Sequence, residues 1–141
     1  MTTHQHQPAP FSSPCEKVTK NALGSFAARS FIKEAVKGIK SREIWIDETL
    51  SDNDPPAAGM ALPDVPGQEN IIRLNPVIFS DTKTFSSLDD TKTANLRLFL
   101  VEAHENRHLT NPLETERQVK FYENQIKWLI ETQYRMRNNL K

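Results

Sequence analysis

Apolar and small residues recur at steps of three and four from Val18 through Ala22, Phe26, Ala27, Ser30, Phe31 and Ala35 to Ile39, the spacing of one helix face. Ser13-Pro14-Cys15-Glu16 precedes them with a capping residue, a proline at the first helical position and a glutamate at the third. The pattern predicts a helix over 13–39, weakened slightly by Gly24. Arg42-Glu43-Ile44-Trp45-Ile46-Asp47 alternates polar and apolar, as a short strand does. From Ser51 to Gln68 four prolines and two glycines interrupt any period, so about 49–70 reads as irregular, either disordered or a functional loop such as a lid or wall over a cleft. Ile71-Ile72-Arg73-Leu74 reads as a second strand, and Pro76 sets Val77-Ile78-Phe79 at an edge or after a bend.

The densest apolar run, Ala94 to Ala103, is rich in leucine rather than β-branched residues, which favours a buried helix continuing through His108. Asn111-Pro112 then supplies a cap and a first-turn proline for a last helix. That helix carries Val119, Tyr122, Ile126, Leu129 and Ile130 on one face. Pairs four apart, Glu116 with Lys120, Glu123 with Lys127 and Glu131 with Arg135, predict a solvated stripe, each pair contributing about 0.2–0.5 kcal/mol. Phe121 and Trp128 fall outside the main apolar face. The expected class is therefore α+β, with about three helices and a two- to three-stranded sheet, in one domain over 13–141. Residues 1–12, with two His, two Gln and two Pro, read as a disordered tail.

Composition narrows the function. Eighteen basic and eighteen acidic residues give zero formal charge, which argues against nucleic acid held by a global basic field. The single cysteine excludes an internal disulfide and a cysteine-based zinc knuckle, and Cys15 has no evident base that would make it a nucleophile. Nothing nears the roughly 18 apolar residues of a membrane helix. The N-terminus has neither the basic start nor the apolar core of a signal peptide, so a cytoplasmic protein is expected, or one exported by another route.

Residues 104–108 read His-Glu-Asn-Arg-His, or H-E-x-x-H. On a helix, positions four apart point the same way, so His104 and His108 can converge on one metal while Glu105 lies one step round. Two imidazoles and a carboxylate with a position left for water suit Zn2+, and Glu105 would then serve as general base. By ordinary residue frequencies the motif arises by chance in about one chain in two hundred of this length. A third ligand is needed. Glu114 falls in line with Phe121 and Trp128 and away from the salt-bridge stripe, which makes it the preferred candidate; Glu116, Asp81 and Glu102 remain alternatives. Arg73, Arg97 and Tyr122 are candidates to stabilise an oxyanion.

With the 71–79 segment before it and Asn-Pro-x-Glu-x-Glu after it, the motif resembles the small zincin-type metallopeptidase domains of bacterial toxins and secreted effectors, over about residues 70–125. The resemblance implies His104, His108 and Glu114 as zinc ligands, Glu105 as base, and a strand lying along the substrate, here Ile71, Ile72, Arg73 and Leu74. It also implies a protein or peptide substrate and, as partners, a secretion carrier or an inhibitor protein. The longer metzincin pattern fits less well, because Pro112 disfavours at Asn111 the turn that a glycine would make. The rival reading is a non-catalytic helical interaction protein with a vestigial or structural metal site.

Overall fold

The computed structural model describes residues 9–13, 15, 26–77 and 90–139. Helix α1 (Phe26–Lys40) buries Ile32, Ala35, Val36 and Ile39, the stripe that its spacing predicts. At its end the N–H groups of Ser41 and Arg42 donate to the carbonyls of Gly38 and Ile39, closing the last turn. Of the start expected at Ser13, Pro14 and residues 16–25 lie outside the described residues. Ser13 Oγ does accept the N–H of Cys15 at 3.1 Å, as a capping hydroxyl does.

Both expected strands form, as β2 (Glu43–Ile46) and β4 (Ile71–Leu74), paired in parallel with Ile44 opposite Ile72 and Ile46 opposite Leu74. Two further strands complete a mixed sheet: β1 (Ala9–Pro10) and β3 (Gly59–Ala61), both antiparallel to their neighbours, in the order β1-β2-β4-β3. The disordered tail expected over 1–12 is thus corrected at its end. Ala9 and Pro10 pair with Ile46 and Trp45, the N–H of Phe11 donates to the Ile44 carbonyl, and Phe11 packs on the core.

The breaker-rich segment is also more ordered than its composition implies. The 3-10 helix Glu48–Asp52 is capped by Asp47, and β3 follows. Buried Asn75 orders what lies between. Its Nδ2 donates to the Ala57 carbonyl and to Ser51 Oγ, and its N–H to the Ala58 carbonyl, so the end of β4 anchors the segment. β4 ends at Leu74; Ile78 and Phe79 lie outside the described residues.

Helix α2 (Asp90–Thr110) occupies the centre, against β3 and β4 on one side and against α1 and α3 (Glu116–Asn139) on others. From Leu96 to Asn106 every side chain except that of Arg97 is buried. Burial all round explains why this run shows no polar face. On α3, Val119, Glu123, Ile126 and Ile130 are buried at alternating steps of four, three and four, the spacing of a helix seam. The architecture is α+β: among the described residues, three helices beside one small mixed sheet.

Asp47 ties the sheet to the following loop. Its carboxylate accepts from the N–H and hydroxyl of Thr49 and, at 2.9 Å, from Arg73 of β4. Burial pushes the Asp47 pKa up, but these bonds outweigh it and hold the group below its ordinary value. A depressed folded-state pKa gives stability that is present above the unfolded pKa and is lost as pH falls through the folded one. Asp47→Asn is therefore expected to cost about 1–3 kcal/mol at pH 7, with the gap to wild type closing in acid. Urea unfolding from pH 7 down to pH 3 measures it, and equal stabilities at pH 7 would contradict the assignment.

Candidate metal centre

One helical turn of α2 sends polar side chains in several directions. Glu102 takes the hydroxyl of Ser13 from the N-terminal segment at 2.8 Å. Its other oxygen is buried without a hydrogen-bond partner, and burial raises its pKa to about 7 against the Ser13 bond, which lowers it. Asn106 faces α1, where its Oδ1 accepts from Arg42 and its Nδ2 lies against Gly38. Arg107 turns outward. It forms a two-pronged pair with Glu114 at 2.6 and 3.1 Å, and its guanidinium sits 4.6 Å above the Tyr122 ring.

His104 and His108 face α3 together, their ring centroids 5.0 Å apart. Between them lies Glu116, the first residue of α3: Oε1 is 2.7 Å from His104 Nε2 and Oε2 is 2.7 Å from His108 Nε2. The other ring nitrogen of His104, Nδ1, is 2.8 Å from Glu123 Oε1. Burial acts to lower the His104 pKa, but the Glu123 bond and the charges of Glu105, Glu116 and Glu123 outweigh it and raise it. His104 is buried and His108 half-buried, while the Glu116 side chain is 70% exposed, so the cluster opens to solvent on one side.

One ligand atom each from His104, His108 and Glu116 lies within 4.8 Å of the others. A tetrahedral zinc with bonds of about 2.0–2.1 Å requires ligand atoms roughly 3.4 Å apart, and both donor types suit that ion. The three side chains could hold a metal ion once the two direct His–Glu116 contacts open to admit it.

Glu114 does not join this group, and the reason is where α3 begins. The expectation starts the helix at Asn111-Pro112, whereas residues 111–115 form a turn and the helix starts at Glu116. Thr115 and Gln118 make a capping box: Thr115 N–H donates to Gln118 Oε1 and Gln118 N–H to Thr115 Oγ1. Glu114 therefore sits in the turn, held by Arg107. The spacing Thr115-x-x-Gln118 was the signal that places this start. The predicted solvated stripe fails at Glu123, which is buried and gives its oxygens to His104 and, at 2.9 Å, to Lys120.

The expected substrate strand is also corrected. Ile71–Leu74 cannot lie along a substrate, because β4 is an interior strand paired on both sides, with Ile72 and Leu74 fully buried. The edge nearest the motif is β3, where Gly59 approaches Val101 and Glu105. Among the oxyanion candidates, Arg73 is engaged by Asp47 and Gln68, and Tyr122 lies under Arg107. Of the alternative ligands, Asp81 is outside the described residues and Glu102 points to Ser13.

Glu105 is buried beside β3. Burial raises its pKa to about 7; His104 opposes the rise, while Glu116 and Glu123 add to it. A carboxylate tuned near neutrality suits proton transfer. Comparison with protein-family models, with curated proteins and with solved structures finds no match to this chain. Among the described residues no helix is long and apolar enough to cross a membrane.

A Cβ on Gly59 would come 2.7 Å from Val101 Cγ1, 3.0 Å from Glu105 Cγ and 3.2 Å from the Arg73 carbonyl. Gly59→Ala is thus expected to destabilise the fold by about 1–3 kcal/mol and to displace Glu105. Thermal unfolding of the variant checks this, and an unchanged midpoint would contradict the close approach.

Proposed function

We propose that this chain is a zinc-dependent peptidase with His104, His108 and Glu116 as metal ligands and Glu105 as general base. The observation that carries the reading is the convergence of two histidines of one helix turn and a carboxylate of the next helix within 4.8 Å, open to solvent on one side. A structural zinc site fills four positions with protein ligands, whereas a catalytic one has three and keeps the fourth for water, and three ligand candidates converge here. Zinc bound there would supply a Lewis acid and lower the pKa of a water molecule.

The protein's own groups then divide the work. His104 and His108 present Nε2 to one side of α2, and Glu116 closes the third position from α3. Glu105 takes the proton of the attacking water on its carboxylate and returns it to the leaving amine. Among the described residues β3 pairs only with β4, so its outer edge suits backbone pairing with an extended peptide beside Glu105. The resemblance to toxin and effector zincins supports a protein or peptide as substrate.

A second reading, a helical interaction protein whose His–Glu cluster is a structural clip, rests on an apolar groove between α1 and α3. It measures about 520 Å3 and is lined by Ala27, Ala28, Phe31, Phe121, Trp128 and Leu129, with Phe121 65% and Trp128 63% exposed. None of these residues belongs to the His–Glu cluster.

Elemental analysis of tag-free protein is expected to find one zinc per chain, lost in His104→Ala and Glu116→Ala and retained in Glu114→Ala. Zinc at 100 times its Kd should stabilise wild type by about 2.7 kcal/mol. Zinc-loaded wild type, incubated with a proteome-derived peptide library, should generate new N-termini by mass spectrometry, and Glu105→Gln should bind zinc and generate none. Absence of zinc from wild type would overturn the metal centre. Equal cleavage by both proteins would overturn Glu105 as the base, and none by either would overturn the peptidase.

A further inference from the structure

Glu123 is buried at a core position of α3, where an unpaired carboxylate would be costly. Both of its oxygens are taken. Oε1 faces His104 Nδ1 at 2.8 Å and Oε2 accepts from Lys120 Nζ at 2.9 Å, one turn back on the same helix. The contrast with Glu102 is informative: more deeply buried, two residues before His104, it keeps one oxygen unpaired and aims at the N-terminal segment. Glu123 instead spends its buried position on one nitrogen of one ligand candidate, the nitrogen facing away from Glu116 and His108. An imidazole held by Nδ1–H can offer only Nε2 to a metal, and its ring plane is fixed by the acceptor.

We propose that Glu123 is the positioning residue of the metal centre: it holds the His104 ring by Nδ1 so that Nε2 points to the position shared with His108 and Glu116, and Lys120 holds Glu123. The inference rests on the metal-centre reading above. It makes α3 supply both a ligand, at its exposed first residue, and the group that orients a ligand of the neighbouring helix. Among the described residues His108 is hydrogen-bonded to Glu116 and to no second carboxylate, so the two histidines are unequal: His104 is the prepared ligand.

Zinc affinity is measured by chelator competition on the full chain for wild type, Glu123→Ala, Glu123→Gln and Lys120→Ala. Glu123→Ala should weaken zinc binding about 10- to 100-fold. Glu123→Gln, which keeps an acceptor oxygen and nearly the same shape, should recover most of that loss, and it serves as the folded control if the alanine variant does not fold. Lys120→Ala should weaken binding less than Glu123→Ala. Long-range imidazole 1H–15N spectra of the zinc-loaded protein should show His104 as the Nδ1–H tautomer with a slowly exchanging proton, and that protection should vanish in Glu123→Ala. A role confined to folding would move the unfolding midpoint and leave both the tautomer and the affinity ratio unchanged. Wild type that binds zinc while Glu123→Ala binds within about twofold overturns this inference and spares the metal centre. Wild type that binds no zinc overturns both.

Discussion

Everything at this end of the molecule depends on one arrangement, a glutamate placed between two histidines across the α2–α3 interface. Glu116 reaches both His104 and His108 at 2.7 Å, and Glu123 reaches His104 from behind at 2.8 Å. A helix seam normally fills such positions with leucine or isoleucine, as α3 does at Ile126 and Ile130. The two buried members, His104 and Glu123, would be unfavourable one by one, since a buried polar group without a partner costs on the order of 1–3 kcal/mol. They are tolerable only together. The arrangement therefore demands that α2 and α3 keep their register, and the surrounding structure can be understood as what enforces it.

The Arg107–Glu114 pair is the first of these devices. It spans the turn between the helices, with the guanidinium packed on Tyr122 of α3, so one side chain braces the turn to both helices. The capping box at Thr115 then sets where α3 starts, and one residue either way would rotate Glu116 by about 100° off the histidines. Being first in the helix also favours a carboxylate there, since the exposed amides carry a partial positive charge. Next to the cluster, β3 packs against α2 with Gly59 against Glu105. That strand is held by β4, and the loop leading into it is ordered by Asn75.

Much of this was legible before any coordinates. Both interior strands and the central helix follow from alternation and from a leucine-rich run, and the motif histidines from their spacing on that helix. What escaped was set by tertiary contacts that local pattern does not encode. β1 contains a proline and only two residues, so pairing with β2 rather than propensity makes it a strand. β3 lies amid prolines and exists because β4 offers it an edge. At the site, the reading of Asn111-Pro112 as a cap displaced the helix start by several residues and carried the third ligand candidate with it to Glu114. Thr115-x-x-Gln118 held the competing signal. Glu123 was misassigned for a different reason. A glutamate four residues before a lysine is a common surface pattern, and nothing in the local sequence reveals that a histidine of another helix waits opposite it.

The placement of the two α3 carboxylates has a further consequence. Glu116 is mostly exposed and Glu123 is buried two turns later, yet both address His104, one at each ring nitrogen. The imidazole is thus gripped between a solvent-facing group and a core group of the same rigid helix. Any motion that separates α3 from α2 must break both contacts at once, while a motion that only frays the first turn of α3 releases Glu116 and leaves Glu123 in place. In the proposed metal centre, the oriented histidine would then survive fraying that removes the third ligand. The exposed end of α3 is the part of the site that can yield, and the buried His104–Glu123 contact is the part that sets its geometry.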